Sequence, residues 1–496
     1  MRVGRADTSV AGEPRRGEAR YGPAPEESAG RRGLAPFQWL ILTALAGCGG
    51  AGVWLQPERT GALIVVAVGT GFVLVAVWRI LLVMLSAAPA LPTPDPTVWP
   101  RYTVLAALYD EAEVVPLLVS RLARLDYPSD RLQGLLLLEA HDHDTIRAAL
   151  AAPRPEWLEL FIVPPGAPQT KPRALNHALE QATGEFLTVY DAEDEPDPGQ
   201  LRAAAARFVA DGSGRLACLQ APLRIRRPGT ADADPFLDRQ FAAEYAALFE
   251  TALPGLARLG LPFPLGGTSN HFRTAVLKAV GGWDAWNVTE DADLGFRLWS
   301  RGWRLGVIDR PTRETPPGGL EHWLPQRVRW QKGYMQTWGV HTRRPWRLGA
   351  RGAAALLLTV GAGLVSAALH GPSLAWMAAA TLVAATAGLS PATPFLSLSV
   401  LGLGAAAAWL ACAIGARRAG VPYGVRDMLA APSYWSLLSL AFAHAAWRLV
   451  REPFAWDKTR HRPDAPAPAA TVDGALDEAG PQRLSAAHVA APEPVA

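Results

Sequence analysis

The segment EFLTVYDAED, residues 185–194, decides the fold of this 496-residue chain, because it joins an apolar run to a cluster of acids. Its first part has the length and the aromatic and β-branched content of a buried strand. Three earlier runs have the same character, and helix-like stretches separate them: TVLAALY (103–109), GLLLLEA (134–140) and LELFIV (158–163). Alternating strands and helices predict a doubly wound α/β sheet, whose ligands bind outside the carboxyl ends of the strands.

Acidic side chains follow three of these four strands, where parallel strands would bring them to one edge of the sheet. They are Asp110 and Glu111 after the first strand, Asp142 and Asp144 after the second, and Asp191, Glu193 and Asp194 after the fourth. Carboxylates at one edge repel one another unless a cation neutralises them, and oxygen ligands select Mg²⁺ or Mn²⁺. The alternative is that Asp is simply common in turns, so both interpretations stay open here.

Long apolar runs flank this region and predict a membrane protein. Half of all residues are hydrophobic and 19% are charged, whereas soluble domains average about 25% charged residues. Residues 37–55 and 62–87 are each long enough to span a bilayer. The positive-inside rule places the N-terminus and the α/β domain in the cytoplasm, because the first run is preceded by Arg15, Arg16, Arg20, Arg31 and Arg32.

The C-terminal apolar region predicts about four membrane helices. The runs lie near residues 353–370, 374–390, 394–415 and 433–450. Four crossings return the C-terminus to the cytoplasm, but they leave Arg417, Arg418 and Arg426 on the side that the positive-inside rule disfavours. Either one middle segment fails to cross, or residues 421–432 lie in the membrane interface.

The predicted organisation is a membrane protein with one inserted α/β domain. In chain order we expect a disordered tail (1–35), a transmembrane hairpin (36–87), a cytoplasmic domain (100–342), a transmembrane region (351–450), a short loop (451–462) and a disordered tail (463–496). Three cysteines without a Cys/His cluster exclude a disulfide scaffold and a zinc site. Nucleic-acid binding is not expected, because no basic stripe with interleaved aromatic residues is present.

An acidic triplet stands in the second half of the domain. Thr289, Glu290 and Asp291 come directly before a helical stretch. Taken alone, this triplet is better explained by an N-cap, a position that Thr and Asp favour.

A helical motif, QRVRW, follows at residues 326–330. Gln326, Arg329 and Trp330 have the i, i+3, i+4 spacing of one helix face. A Trp ring flanked by Arg and Gln is suited to stacking against a sugar. The alternative is an amphipathic interfacial helix anchored by its tryptophans, and both interpretations can hold at once.

Taken in order, these motifs resemble those of membrane-embedded family 2 glycosyltransferases. The pattern D, DxD, TED and QxxRW is present as Asp142, Asp191-Ala-Glu193, Thr289-Glu290-Asp291 and Gln326-Arg-Val-Arg329-Trp330. Lying between apolar spans, the set is similar to that of the bacterial cellulose synthase catalytic subunit and of hyaluronan and chitin synthases. The resemblance implies a GT-A-like fold. Two departures are Ala140-His141, where the family carries an acidic pair, and Glu193 beside Asp194, which leaves open which acid meets a metal.

The resemblance also implies a role for each motif residue. Donor contacts would come from Asp110, Asp142, Lys171, Asp191, Gln326 and Arg329, and a Mg²⁺ or Mn²⁺ ion would lie at Asp191 and Glu193. The catalytic triplet would be Thr289, Glu290 and Asp291, with Asp291 as general base, and the acceptor would meet Trp330, Gly267, Thr268 and Asn270. Trp456, Lys458, Thr459 and His461 resemble a gating loop, for which a basic juxtamembrane stop is an equally good explanation.

The activity implied by the resemblance is inverting transfer of a sugar from a UDP-sugar to a growing β-linked polysaccharide, coupled to export across the bacterial inner membrane. A periplasmic export partner would then receive the polymer. The alternative is transfer of one sugar to a lipid acceptor. A third alternative, a non-enzymatic membrane scaffold, is favoured only by His141. The residues do not identify the sugar or the linkage.

Overall fold

The computed structural model of the chain describes residues 20–86, 93–226, 235–387 and 392–455, with side chains for all of these except residues 392–400. Ten strands are formed in the described parts: β1 Tyr102–Leu108, β2 Leu132–Glu139, β3 Leu158–Val163, β4 Phe186–Tyr190, β5 Glu195–Pro196, β6 Leu216–Gln220, β7 Leu223–Ile225, β8 Asn270–Arg273, β9 Arg304–Val307 and β10 Thr312–Glu314. Seven of them form one sheet in the order β3-β2-β1-β4-β8-β6-β9, and β5-β10-β7 form a small second sheet.

The four strands expected from sequence form the parallel half of the large sheet. β1 lies between β2 and β4 and pairs in parallel with both, and β3 continues the parallel order beyond β2. The sheet is mixed, however, because β8 runs antiparallel between β4 and β6. The predicted doubly wound α/β class is thus confirmed in a mixed, GT-A-like form.

Helices cover both faces of the sheet, as the uninterrupted apolar strands require. Alternate residues of β1 serve the two faces: Leu105 packs in one core, and Val104 and Ala106 pack in the other. The domain helices are α3 Val115–Leu122, α4 His143–Ala151, α5 Lys171–Gln181, α6 Gln200–Val209, α7 Pro235–Ala247, α8 Leu253–Arg258, α9 Thr274–Ala279, α10 Glu290–Ser300 and α11 Leu320–Thr342. A π-helical turn, Leu248–Ala252, joins α7 to α8.

Six helices lie outside the α/β domain in sequence: α1 Pro36–Leu55, α2 Pro57–Leu85, α12 Gly349–Leu356, α13 Ala362–Ala387, α14 Ala392–Ala419 and α15 Val425–Arg451. Within the described chain, three segments are long and apolar enough to cross a membrane: Pro36–Leu55, Pro57–Leu85 and Pro345–Ala387. The third of these corrects the prediction of separate spans near 353–370 and 374–390. One helical segment runs through Pro372, and the Gly371 N–H donates to the Ser439 hydroxyl (2.9 Å).

The end of α14 explains the arginines that conflicted with four C-terminal crossings. The Arg418 guanidinium donates to the Ser86 hydroxyl (2.8 Å) at the end of α2 and to the Glu250 carbonyl (2.6 Å) of the α/β domain. Arg418 therefore lies on the domain side of the membrane helices. Because α12 and α13 form one segment, we expect α14 to be the returning segment, which would place Arg417 and Arg418 on the side that the positive-inside rule favours.

Helix α15 does not form the membrane span that was expected near residues 433–450. Near its start, Asp427 pairs with Arg239 of α7 (2.7 Å), and just beyond its end the Ala455 carbonyl accepts from Lys332 of α11 (2.5 Å). A helix with both ends on one domain cannot cross a bilayer. Its outer stripe is apolar and 55–82% exposed: Val425, Leu429, Leu440, Trp447 and Val450. We therefore expect α15 to lie in the membrane interface.

The tail predicted to be disordered over residues 1–35 is packed where the structure describes it, from residue 20 onward. The Ser28 hydroxyl donates to the buried Asp284 carboxylate (2.9 Å). Arg343 donates to the backbone carbonyls of Ser28 (2.8 Å) and Arg31 (2.7 Å). Composition did not reveal this packing, because the bonds come from partners some 250–315 residues away in sequence. The predictions for residues 456–496 concern a part of the chain outside the described residues.

We predict that the chain crosses the membrane four times, with α15 on the face that carries the α/β domain. In a variant with the three native cysteines replaced by Ser, single cysteines at Glu159, Pro422 and Glu452 should be labelled by a membrane-impermeant maleimide from the same side. A cysteine at Gln56, in the α1–α2 turn, should be labelled from the opposite side. Labelling of positions 422 and 452 from opposite sides would show that α15 crosses.

Candidate active site

A cavity of about 210 Å³ opens at the carboxyl ends of β1 and β4, where the sequence placed its acids. Eleven of the predicted site residues line it: Lys171, Asp191, Glu193, Gly267, Thr268, Thr289, Glu290, Asp291, Gln326, Arg329 and Trp330. They come from a helix start, two loops and two further helices, so the fold brings together groups that are up to 159 positions apart in the chain. This convergence is what the ordered motifs predicted.

The turn after β4 is built around the Lys171–Asp191 ion pair. Lys171, at the start of α5, donates to Asp191 Oδ1 and to the Gly267 carbonyl (2.7 Å). The Asp194 carboxylate accepts from the Asp191 N–H (2.7 Å) and from the Thr268 hydroxyl. Asp194 thus shapes the turn from within, whereas Glu193 reaches the cavity. This geometry selects Glu193 over Asp194 as the second acid of the DxD-like motif.

The cavity holds more acids than it can keep ionised. Burial, followed by the charge of Asp191, raises the pKa of Glu193 to about 8, and burial together with Asp291 raises the pKa of Glu290 to about 8. The pKa of Lys171 is also raised. Burial favours its neutral amine, but the charges of Asp191 and Glu290 outweigh burial and hold its pKa above the ordinary value. Lys171 and Arg329 are the cationic side chains in the described lining. The site is therefore suited to bind additional positive charge.

Asp191 and Glu193 fit a divalent cation by the chemistry of their donor set. Both offer carboxylate oxygens to the same cavity, and hard cations prefer oxygen. In the described chain no group of three or more His, Cys, Asp or Glu side chains could hold an ion by itself. An ion at this acid pair would complete its coordination with water and with phosphate oxygens of a substrate, as Mg²⁺ commonly does.

The acidic triplet lies at the start of α10 and lines the same cavity. Thr289 occupies the N-cap position but makes no side-chain capping bond, so capping does not explain the triplet. The Asp291 carboxylate accepts from the Ala292 N–H (2.7 Å). Burial raises the pKa of Asp291 to about 6 although Lys171 and Arg329 act in the other direction. A carboxyl group with this pKa exchanges its proton near neutral pH.

Helix α11 supplies the third wall through the spaced face of QRVRW. Gln326, Arg329 and Trp330 all line the cavity, and the helix spans Leu320–Thr342. Gln326 Oε1 is buried and has no hydrogen-bond partner in the described part of the chain, so it can accept from a ligand hydroxyl. The alternative, an interfacial helix anchored by its tryptophans, does not hold at Trp323, which is fully buried and donates its indole N–H to the Tyr434 hydroxyl of α15 (3.2 Å).

Three predicted binding residues lie outside the lining. Asp142 caps α4 by accepting from Thr145 N–H (3.2 Å), and it also accepts from the Asp110 N–H (2.5 Å). Asn270 is buried and donates to the Gly266 carbonyl (2.5 Å), which shapes the Gly266–Gly267 loop. Donor contacts at Asp110 and Asp142 therefore remain predictions. The segment of Trp456, Lys458, Thr459 and His461 lies outside the described residues.

The sequence did not single out several residues that line the cavity. Tyr109 and Gln169 line it, and Glu314 reaches in from β10. An apolar wall, made of Tyr245, Leu248 and Phe249, comes from α7 and the π-helical turn. Glu314 had no local signal because β10 is only three residues long. The aromatic spacing of Tyr245 and Phe249, four residues apart, could have indicated a helix face.

The apolar wall belongs to the part of the domain that contacts the membrane helices directly. A Cβ on Gly415 of α14 would lie 2.4 Å from the Ala246 carbonyl, one residue from Tyr245. A Cβ on Gly255 of α8 would lie 2.6 Å from the Leu82 carbonyl of α2. These backbone approaches place the wall against the domain-side ends of α2 and α14. We therefore expect the cavity to lie close to the bilayer surface.

The acid-lined edge of a GT-A-like sheet, facing a helix that carries Gln326, Arg329 and Trp330, defines a membrane-associated glycosyltransferase. Comparison with known families agrees. Residues 186–414 match the model described as "Glycosyl transferase family group 2". The chain thus contains a family 2 glycosyltransferase domain, and the resemblance inferred from the motifs is confirmed.

Two curated relatives have different products. The chain is 29% identical over 301 residues to a beta-monoglucosyldiacylglycerol synthase of Synechocystis sp., which covers 58% of each chain. It is 28% identical over 264 residues to a UDP-forming cellulose synthase catalytic subunit of Komagataeibacter xylinus, which covers 52% of this chain and 34% of the relative. The chain thus matches less than two thirds of the length of either relative.

A solved structure supports the fold. The mannosyltransferase PcManGT from Pyrobaculum calidifontis, in complex with GDP-Man and Mn²⁺, superposes with a TM-score of 0.51. The identity is 20%, and the alignment covers 78% of this chain and 97% of the other. At this identity the likeness shows the fold alone.

We predict that Gly333→Ala damages the site although Ala favours helices. A Cβ at Gly333 of α11 would lie 2.3 Å from Thr289 Oγ1 and 2.5 Å from its methyl carbon, so the acidic triplet must move. We expect about 1–3 kcal/mol lower stability, as in other overpacked interiors, and at least about tenfold slower transfer. Thermal unfolding and nucleotide release measure the two effects.

The matched control is Gly339→Ala in the same helix, whose Cβ would meet no atom within 4 Å. It should leave activity unchanged and not lower stability. Equal effects of the two substitutions would show that contact with Thr289 is not what requires glycine at position 333.

Proposed function

We propose that this protein transfers a single sugar from a UDP-sugar to the hydroxyl group of a membrane lipid, with inversion at the anomeric carbon. The observation that carries the proposal is the composition of the cavity. Its lining combines Lys171, Asp191 and Arg329, which suit a nucleotide diphosphate, with Leu248 and Phe249, which suit an acyl-linked acceptor. The first relative, named as a glucosyldiacylglycerol synthase, supports a diacylglycerol acceptor.

The membrane helices also support a lipid acceptor over an exported polymer. A polymer channel needs helices packed around a lumen, whereas helix α1, all of which is described, has no buried residue. Helix α2 buries only Ala76, Leu82 and Val83, and α13 buries only Ala367. With α15 along the domain, few helices remain to enclose a sugar chain. A lipid acceptor requires only lateral access from the bilayer.

In the proposed reaction the acceptor hydroxyl loses its proton to Asp291 as its oxygen attacks the anomeric carbon, and the bond to the diphosphate breaks. Asp291 suits this role because its carboxyl approaches the same loop as that of Asp191: a Cβ on Gly267 would lie 3.3 Å from Asp291 Oδ2 and 3.9 Å from Asp191 Oδ2. Arg329 can bind the departing diphosphate through its bidentate fork. Lys171 orients Asp191 and adds positive charge beside the donor.

A divalent cation held by Asp191 and Glu193 would stabilise the negative charge of the leaving diphosphate. The neighbouring residues keep this acid pair in place. Lys171 fixes Asp191, and Asp194 fixes the turn between the two acids. The geometry of the residues is therefore set by the protein before any ion binds.

Processive synthesis is the second candidate, and Trp330 favours it. An indole in the acceptor region can stack on a sugar unit, and cellulose synthase subunits are among the relatives. A single glucolipid, however, also presents one sugar ring close to this Trp. The identity of the product decides between the two.

We predict that the purified full chain in detergent micelles with dioleoylglycerol and Mn²⁺ converts UDP-glucose into a lipid-soluble product. Mass spectrometry of the organic phase should show the acceptor plus one hexose. Water-insoluble polymer without glycolipid would reject the lipid proposal in favour of processive synthesis. GDP-mannose in a parallel reaction tests the choice of nucleotide, and a higher rate with it would overturn the UDP assignment.

The apolar wall provides a second prediction. Leu248→Gln should raise the KM for dioleoylglycerol by about tenfold, since burying an unpaired amide beside an acyl chain is costly. Release of UDP to water without acceptor should stay within about twofold. The control is Val209→Gln, on an exposed part of α6, which should change neither rate. If Leu248→Gln lowers transfer to dioleoylglycerol and UDP release to water equally, the apolar wall is not part of the acceptor site.

The pH dependence follows from the raised pKa of Asp291. A base with a pKa of about 6 is protonated, and inactive, at lower pH. We expect kcat/KM to fall about tenfold per pH unit below pH 6 and to be level above it up to about pH 7.5. Asp291→Asn should remove transfer, and Asp291→Glu should shift the acidic limb, whereas Glu159→Gln on the surface should not. If Asp291→Glu leaves the acidic limb of the pH profile in place, that limb reports the titration of another group.

A further inference from the structure

The middle of the QRVRW motif contains a buried cation that the proposed chemistry does not use. Arg327 lies on α11 between Gln326 and Arg329, and it is only 4% exposed. Unlike its neighbours, it does not line the cavity. Burying a guanidinium is costly unless it is paired, so the contacts of Arg327 need an explanation.

The guanidinium is held by groups from two other helices. Its two terminal nitrogens donate to Glu244 of α7 (3.0 and 2.7 Å), and one of them also donates to the Tyr434 hydroxyl of α15 (2.9 Å). The Tyr434 hydroxyl in turn donates to Glu244 (2.6 Å). Arg327 therefore has a fixed position, set by the polar groups of α7 and α15.

The fixed guanidinium lies against the ring of Trp330. Its central carbon is 4.5 Å from the Trp330 ring centroid and 4.8 Å from that of Phe241. Tyr245 packs near the same indole, with ring centroids 5.9 Å apart. A cation over an indole face is attracted by the ring, and more strongly when it is desolvated. The Trp330 ring, which lines the cavity, is thus braced from the buried side.

We propose that Arg327, locked by Glu244 and Tyr434, is a positioning residue that fixes the indole plane of Trp330 for the acceptor. This inference rests on the proposed function only in placing the acceptor in the cavity that Trp330 lines. Arg is required because its planar fork serves the carboxylate and the ring at the same time, whereas Lys offers a point charge. Arg327 acts through Trp330 and does not touch the reacting atoms.

The test is a double-mutant cycle of Arg327→Lys and Trp330→Ala in the full chain in micelles. With UDP-glucose and dioleoylglycerol, Arg327→Lys should raise the acceptor KM by about tenfold, as expected for loss of a desolvated cation–π contact. In the Trp330→Ala background the same substitution should change the acceptor KM by less than about threefold. In the Arg327→Lys variant, the rate of UDP release to water and the donor KM should stay within about twofold of the wild-type values.

Glu244→Gln gives a milder second variant that keeps the shape of the cluster, and it should raise the acceptor KM in the same direction by about threefold. Arg258→Lys, an exposed exchange on α8, is the control and should have no effect. The proposal fails if Arg327→Lys has the same effect with and without Trp330, or if it lowers UDP release to water as much as transfer.

Failure of the lipid proposal is a separate result. If the wild type glycosylates octyl glucoside but not dioleoylglycerol, the acceptor class is wrong, and the cycle is measured with octyl glucoside. The expected non-additivity between Arg327 and Trp330 is the same for both acceptors, because it depends on the contact between the two side chains.

Discussion

The site depends on the ion pair between Lys171 and Asp191. It joins the start of α5 to the end of β4, and through the Gly267 carbonyl it also ties down the loop before β8. Without Lys171 the cavity would be lined by seven acids against Arg329 alone among its described lining: Glu111, Glu139, Asp191, Glu193, Glu290, Asp291 and Glu314. The pair thus sets both the shape of the acid cluster and the charge that a donor and a cation must complete.

The strands and the motifs could be predicted from sequence because each carries a local signal. Four apolar runs gave β1 to β4, and the acids after them reached one cavity because parallel strands end at the same sheet edge. β8 and Glu314 could not be predicted in this way. β8 is four residues long and contains Asn270 and His271, so its place depends on pairing with β4 and β6. The buried Glu314 is brought to the cavity only by the pairing of β10 with β5 and β7.

The membrane helices, too, could be predicted only in part from sequence. Hydropathy identifies apolar stretches. It does not distinguish a membrane-spanning helix from a helix that has one apolar face in the membrane interface and the other face packed against protein. Helix α15 has an apolar outer stripe, and its inner face carries Tyr434 and Asp427, which bond to the α/β domain. The conflict of Arg417 and Arg418 with four C-terminal crossings was the one sequence signal that pointed to this error, since an interfacial α15 and a single α12–α13 segment remove it.

The position of α15 connects membrane attachment to the chemistry. α15 contacts α11 through Tyr434, which reaches Arg327, and its C-terminal end is held by Lys332 of α11. Gln336, one turn further along α11, accepts from the Val288 N–H (3.0 Å) next to Thr289 and donates to the Pro453 carbonyl (2.9 Å). The helix at the bilayer surface, the QRVRW face and the acidic triplet are therefore one connected unit. A displacement of α15 would therefore be transmitted to Trp330 through Arg327, and to the acidic triplet through Gln336.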